Sequence, residues 1–530
     1  MNGNHGEGHH KNPVGQLPHE IIAAIISFLP FRHRIRCLQL SSSWRRYLLD
    51  SPLLWSTLDD PECDLSRDLL VHKQHIKKDW IHHVDIDSLN VDQQKRAFDF
   101  LIELECSSIR SFNFSFRGEM LSSLRELLDY SGNTITSIHA TVAPLTRYFL
   151  ETILTQCPHL ESIKYMHRQS LARGRLFHDN FAFSQPFIES RKQLEQYRAA
   201  GTTPEGERLP KGEDMHFKVK SMHFIGVAPI RQFLNGDVDL PHLEYLNIFC
   251  PSNNLIQHIQ PQGWPQLRYL YLSGVNFAPE AMDAFVKAIP NIPHLMSMNV
   301  SGSCITPTNE FLMALGDLEH LQELGFLDWQ TYMKRRRLPP PTPDLAAEAQ
   351  DNDNDHEEEP PLLDIEEGLI YLLKGKCRRT LQKLKLVLQG RWSDRILAAI
   401  PHQQYQQQLM CFSLSMAKAV WHQQPSSEEE EQKEDPLLLT DNGLRSFASN
   451  MANHKMEFLG LFNVEKDIDS DMCQWMKNTL GPNLTLTFRD GTLNANAGLG
   501  ILENGEWRIN SAIYPLRKLP SACQNVPHYI

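Results

Sequence analysis

The side chains best suited to grip another molecule lie in two short segments, Tyr245/Asn247/Phe249 and Tyr269/Tyr271/Ser273, with Arg268 beside the second. Tyr and Arg combine a large contact area with a polar tip, the composition of a binding hot spot. Alternation at every second residue puts each set on one face of a strand. Asp85, Asp87, Lys164 and Lys220, nearer the N-terminus, are expected to add charge selectivity to the same kind of face. A competing reading has the insertion before Tyr245 folding back over these aromatics, making them a satellite core.

Covalent chemistry has no comparable set. The 530 residues hold no Gly-rich phosphate loop, no Gly-x-Ser-x-Gly, no His-Glu-x-x-His and no nucleophile with an identifiable base. No catalytic residue and no cofactor are therefore expected. The ten cysteines are scattered without a Cys-x-x-Cys pair, which reads as reduced thiols in a cytoplasmic or nuclear protein. His5, His9 and His10 could grip a metal, but their Gly- and Asn-rich surroundings favour a solvated tail, so no metal site is expected.

Charge narrows the partner classes. The net charge is -12, yet residues 344–359 hold eight acids without a Lys or Arg, and residues 428–435 hold six acids and Lys433. Removing that -13 leaves the rest of the chain at about +1, too weak a field for nucleic acid. The longest apolar stretch, Ile21 to Leu29, is far short of the roughly 20 residues of a membrane helix. Neither the opening MNGNHGEGHHKNP nor the closing VPHYI supports secretion or a lipid anchor.

The elements that must position the aromatic segments appear as a repeat. Apolar residues recur at offsets 0, 3 and 5, as in Ile81/Val84/Ile86, Ile109/Phe112/Phe114, Leu267/Leu270/Leu272 and Leu381/Leu384/Leu386. The starting positions are 81, 109, 135, 160, 219, 243, 267, 295, 321, 381, 409 and 456, so the spacing is 24 to 28 residues except where it jumps three times. Offsets 3 and 5 share one face of a strand, and offsets 2, 4 and 6 share the other. Helix-period segments follow, among them 279–289, 310–315 and 440–448. A strand–turn–helix unit cannot bury its own apolar face, whereas a stack of such units can.

This pattern resembles the leucine-rich repeat family, and LeuThrAspAsnGlyLeuArgSerPheAla (439–448) is similar to the helix entry of its cysteine-containing class. The resemblance implies an α/β solenoid over residues 81–490, with a parallel sheet on the concave side and helices outside. The sequence departs from the family at offset 8, where Asn or Cys is usual and Leu89, Ala143 and Val275 stand here. The long spacings locate loop insertions near 167–216, 331–361 and 423–436. LysArgArgArg (334–337) reads either as an import signal or as neutralisation of the neighbouring acids. Asn504-Gly505 between alternating apolar residues predicts a hairpin over 501–509, expected within a C-terminal cap at 491–530.

Residues 1–16 read as a disordered tail, 17–58 as a small all-α domain and 59–80 as a helical linker. In the second of these, Ile21, Ile25 and Leu29 form one stripe and Ile22, Ile26 and Phe28 another, more apolar surface than so short a segment can cover itself. Leu-Pro-x-Glu-Ile at 17–21, Trp44-Arg45 and Asp-Ser-Pro-x-Leu-Trp ending at Trp55 resemble the F-box. The resemblance implies docking on an Skp-type adaptor, and through it a cullin, by Leu17, Pro18, Ile21, Ile25, Leu29, Ile35, Leu38, Trp44, Leu48 and Trp55. It implies a non-catalytic substrate-recognition subunit of a ubiquitin ligase, whose repeats hold a target protein with Tyr245, Asn247, Phe249, Arg268, Tyr269 and Tyr271. Three alternatives stand beside it: a scaffold that works without ubiquitin transfer, acidic loops that bind a basic protein such as a histone, and a helical cap sealing the repeat stack.

Overall fold

The computed structural model describes residues 17–59, 71–116, 118–142, 148–167, 184, 189, 217–225, 240–249, 255–256, 264–273, 276–277, 279–302, 307–328, 365–390, 393–400, 409, 411–416, 441–451, 458–462, 470–480, 485–489, 500–503 and 506–509. The chain divides into two compact units, residues 1–173 with 181–226 and residues 174–180 with 227–530.

The first unit opens with four short helices, α1 (His19–Ser27), α2 (Phe31–Cys37), α3 (Ser42–Leu49) and α4 (Pro52–Trp55). Local chemistry sets their starts. Pro18 and Pro30 precede α1 and α2, while Ser41 and Ser51 accept the backbone N–H of Trp44 and Leu53 at 3.2 and 3.3 Å. Strands follow in chain order and pair in that order, all parallel: β1 (Thr57–Leu58), β2 (His83–Asp85), β3 (Ser111–Phe116), β4 (Ser137–Val142), β5 (Ser162–His167) and β6 (Ser221–Ile225). Helices α5 (Val91–Glu103), α6 (Leu121–Ser131) and α7 (Tyr148–Gln156) connect them. Asn90 and Gln93 close a reciprocal cap at the start of α5.

The residues at offsets 0, 3 and 5 form the core. Ile81, Val84, Ile86, Ile109, Phe112, Phe114, Ile135, Ile138 and Ala140 are all buried, as are Leu160, Ile163, Tyr165, Val219, Met222 and Phe224. Rings pack within and between repeats: Phe112 on Phe114 of the same strand at 4.4 Å, Phe114 against Phe149 of α7 at 6.1 Å, and Tyr165 against Phe224 of the next strand at 6.0 Å.

A hydrogen-bonded spine runs beside this core. The carbonyl of each offset-1 residue accepts two N–H groups from the next repeat: Arg110 and Ser111 donate to His82, Thr136 and Ser137 to Arg110, and Glu161 and Ser162 to Thr136. The residue just before offset 0 adds a hydroxyl, with Ser108 donating to the Ile81 carbonyl and Thr134 to that of Ile109, both at 2.9 Å. These bonds tie successive repeats without the offset-8 Asn or Cys of the leucine-rich family. The spine starts earlier than residue 81, since His82 and His83 donate to the Ser56 carbonyl and Leu58 pairs with Val84. One period of 26 residues back from Ile81 stands Trp55, fully buried. Trp55 and Leu58 thus occupy offsets 0 and 3 of a first repeat that the motif at 17–55 conceals. The expected linker over 59–80 contains a short 3-10 helix, Lys73–His75, and its residues 60–70 lie outside the described residues.

The second unit continues the pattern with a parallel sheet ordered β7 (Tyr245–Phe249), β9 (Tyr269–Ser273), β11 (Ser297–Gly302), β12 (Glu323–Asp328), β13 (Lys383–Gly390), β14 (Cys411–Met416), β15 (Phe458–Phe462) and β16 (Thr485–Arg489). Helices α8 (Pro279–Ala288), α9 (Asn309–Gly316), α10 (Glu366–Lys374), α11 (Asp394–Ala399), α12 (Asp441–Asn450) and α13 (Ser470–Leu480) accompany it. Offset 3 meets offset 3 throughout, as Leu246↔Leu270, Leu270↔Met298, Leu324↔Leu384, Phe412↔Leu459 and Leu459↔Leu486. The last pair adds a repeat whose offset 0 is Asn483, a polar residue that hides it from an apolar search.

The 60-residue jump between positions 321 and 381 leaves the register intact, because closing a longer loop costs only about 0.6 kcal/mol per doubling. Close helix packing accompanies it: the Asn309 side chain of α9 accepts the Gly368 N–H of α10 at 2.6 Å, and a Cβ at Gly368 would lie 2.7 Å from the Asn309 backbone. A short parallel pair, β8 (Leu255–Ile256) with β10 (Asn276–Phe277), was not signalled by the repeat. The hairpin does form, as β17 (Gly500–Glu503) and β18 (Glu506–Ile509), antiparallel with Leu502 opposite Trp507. The expected insertions at 331–361 and 423–436, LysArgArgArg, and nearly all of 168–216 lie outside the described residues, as do the tail 1–16 and residues 510–530.

Candidate functional site

Helix α1 sorts its apolar residues into two opposite faces. Ile22 and Ile26 are buried, while Leu17, Ile21, Ile25 and Phe28 are 41, 48, 44 and 86% exposed. Their positions run i, i+4, i+8 and i+11, which wind back onto one line at 3.6 residues per turn. Phe28, expected with Ile22 and Ile26, belongs to the outward stripe because two residues beyond Ile26 the helix has turned through about 200°. Leu40, three residues beyond α2, adds a further exposed apolar side chain. Pro18 is exposed, and Leu29, Ile35 and Trp44 are half-buried.

Leu38, Leu48 and Trp55 are interior instead. Leu48 and Trp55 have no accessible surface and Leu38 has 5%, so these three pack beneath the exposed stripe and not on it. Beneath it too lies Arg34, whose guanidinium donates to the Leu53 carbonyl at 3.1 Å and to Thr57, and pairs with Asp59 at 3.2 Å. Its ring neighbour Phe31 lies 6.1 Å from Trp55. Arg34 thereby fastens α2 to the first strand, a role that its place in a polar ArgHisArg run does not announce.

On the face of the second unit's sheet opposite the core, Tyr245 is buried and lies 6.2 Å from Tyr269 and 5.7 Å from Tyr271. Asn247 donates to the Tyr245 hydroxyl at 3.2 Å, and Tyr271 meets Ser297 at 3.2 Å. Burial pushes the Tyr271 phenol up to about 12. The chain of contacts ends in the ion pair Glu323–Lys383 at 2.5 Å. Tyr269 and Tyr271 keep accessible edges, whereas Tyr245 is their support, and Arg268 is exposed and paired with Glu244 at 3.9 Å. The Phe249 side chain lies outside the described residues.

The first unit presents a polar row at offset 4: Asp85, Asn113, His139, Lys164 and His223, each paired in register with the next. Beside it at offset 6, Asp87 accepts the Ser115 hydroxyl at 2.8 Å, and its N–H donates to the Asp85 carboxylate at 3.3 Å. Lys220 stands at offset 1, not on this row, and pairs with Glu161 at 3.0 Å. Burial first, and then Lys164, pulls the His139 imidazole down to about 4; the same causes, with His139 added, pull His223 down to about 3.

Above about pH 4 both rings stay neutral in the folded protein, whereas in the unfolded chain they charge below about 6.5. Between about pH 6.5 and 4 the unfolded chain therefore binds more protons, and stability falls as pH falls through that window. Each histidine is expected to remove about 2 kcal/mol between pH 7.5 and pH 5. His139→Asn should flatten the wild-type slope by that amount in urea unfolding at the two pH values.

Among the described residues no group of three metal-ligating side chains occurs, and no helix is long and apolar enough to cross a membrane.

A family model described as F-box-like matches residues 14–60, the four-helix segment that carries the exposed stripe. No curated protein matches the chain. Among solved structures, "Crystal structure of Rad7 and Elc1 complex in yeast" matches with a TM-score of 0.34 at 12% identity, covering 84% of this chain and 94% of that chain. At that score the likeness assigns neither fold nor function.

Proposed function

We propose that this protein is the non-catalytic substrate-recognition subunit of an Skp–cullin–F-box type ubiquitin ligase, with leucine-rich-type repeats that hold its target. One observation carries the reading. The segment matched as F-box-like is also the segment that leaves Leu17, Ile21, Ile25 and Phe28 uncovered on one helix line. Burying a fully exposed side chain of this kind is favourable by about 1.5–3 kcal/mol, and these four keep 41–86% of their surface to bury, so the stripe favours docking of an Skp-type adaptor. The repeats supply a broad sheet face whose outward side chains are set by strand alternation, and Tyr269 and Tyr271 form its aromatic part, with Arg268 at offset 1 beside it.

Co-purification tests the reading. The full chain is expected to bring down an Skp-type adaptor together with a cullin, in about equal amounts. Recovery of neither would sink the proposal, and recovery of adaptor without cullin would favour a scaffold that acts without ubiquitin transfer.

A further inference from the structure

The polar row of the first unit is ordered by charge. Asp85 stands on β2 and Lys164 on β5, and the pairings Asp85↔Asn113, Asn113↔His139 and His139↔Lys164 place them three strands apart on one face. At about 4.8 Å per strand that is roughly 14 Å, the length of about four residues of extended chain. Burial holds the Asp85 carboxyl above its ordinary value and the Lys164 ammonium below its own. Asp87 lies close enough to raise both, so the Lys164 end already faces one carboxylate; each poorly solvated charge still gains from a further opposite charge brought close.

The middle of the row is closed only in part: Asn113 hydrogen-bonds the Asp85 carboxylate, while two other atoms stay open. Asn113 Oδ1 and His139 Nε2 have no hydrogen-bond partner, although both side chains are only half-buried. Both atoms are themselves buried, so an incoming backbone N–H or C=O reaches them only if the side chains turn outward. The second unit's face differs: there Tyr271, Ser297, Glu323 and Lys383 satisfy one another in a continuous chain.

We infer that this row is a docking site for an extended segment of a target protein carrying a Lys or Arg about four residues from an Asp or Glu, the base over Asp85 and Asp87 and the acid over Lys164. The inference rests on the proposed role of the sheet face as target holder, and it names the class of segment held.

Panning phage-displayed random dodecapeptides on the full-length protein tests it. Selected clones are expected to carry a basic and an acidic residue three to five positions apart. A synthetic peptide of the strongest clone, followed by fluorescence polarisation, should bind about tenfold more weakly to Lys164→Gln and to Asp85→Asn, and within about twofold of wild type to Lys220→Gln. Changing the peptide's acid to its amide should cost about tenfold against wild type and almost nothing further against Lys164→Gln, a coupling that a general loss of folding would not produce.

The inference is overturned if no clone is selected, if clones lack the charge pair, or if the peptide's acid and Lys164 contribute independently. Clones reproducing residues 168–216 would also overturn it, by assigning the face to the chain's own insertion. Adaptor recovery with Lys164→Gln should equal wild type, so a failure here is distinguishable from a failure of adaptor docking.

Discussion

Ile21→Asp combined with Ile25→Asp is expected to reduce capture of an Skp-type adaptor by about 100-fold or more while leaving the thermal midpoint within about 2 °C of wild type. The two side chains are 48 and 44% exposed, so in the free protein aspartate at either position keeps its water. In the complex both carboxylates would have to be desolvated against an apolar partner. A penalty of about 1.4 kcal/mol at each already multiplies to 100-fold. Trp55→Ala is the informative contrast. It also lies in the F-box-like segment, but it is fully buried against Phe31 and begins the repeat register. Any loss of adaptor there should come with a loss of about 3–5 kcal/mol of stability. Parallel adaptor pull-downs and thermal melts separate the two; equal melting losses in both variants would contradict the assignment of faces.

The second large effect lies in the core. Phe114→Ala should destabilise the protein by about 3–5 kcal/mol, measured by urea unfolding. Its ring contacts Phe112 at 4.4 Å, Phe98 of α5 at 5.6 Å and Phe149 of α7 at 6.1 Å, so truncation empties a space shared by two helices and a strand. Stacked repeats contact mainly their neighbours, and stability in such arrays is close to a sum of local and nearest-neighbour parts. Amide exchange is therefore expected to accelerate first in β3, β4, α5 and α7, while β13 to β16 in the second unit keep their protection. Uniform acceleration across both units would contradict that local character.

Sequence alone determined which face each repeat residue occupies. Period 2 within a strand and a period near 26 between strands leave little freedom, and every described residue at offsets 0, 3 and 5 with a described side chain is buried. The helices near 279–289, 310–315 and 440–448 and the Asn-Gly hairpin were legible for the same reason: each is specified by residues adjacent in the chain. Two repeats escaped. Trp55 and Leu58 were claimed by the motif in which they also stand, and the repeat at 483 begins with Asn.

What only the tertiary structure decided is which apolar residues of the helical segment have neighbours and which do not. Ile21 and Ile22 are equivalent in composition, and it is the packing of α1 on α4 that buries one and leaves the other to a partner. The structure also decided which distant polar residues meet. Lys383 reaches Glu323 from 60 residues away, and Lys164 and His223 pair across 59. Loop length barely affects the free energy of closing such contacts, so spacing along the chain carries almost no information about them, and the register of the stacked strands carries nearly all of it.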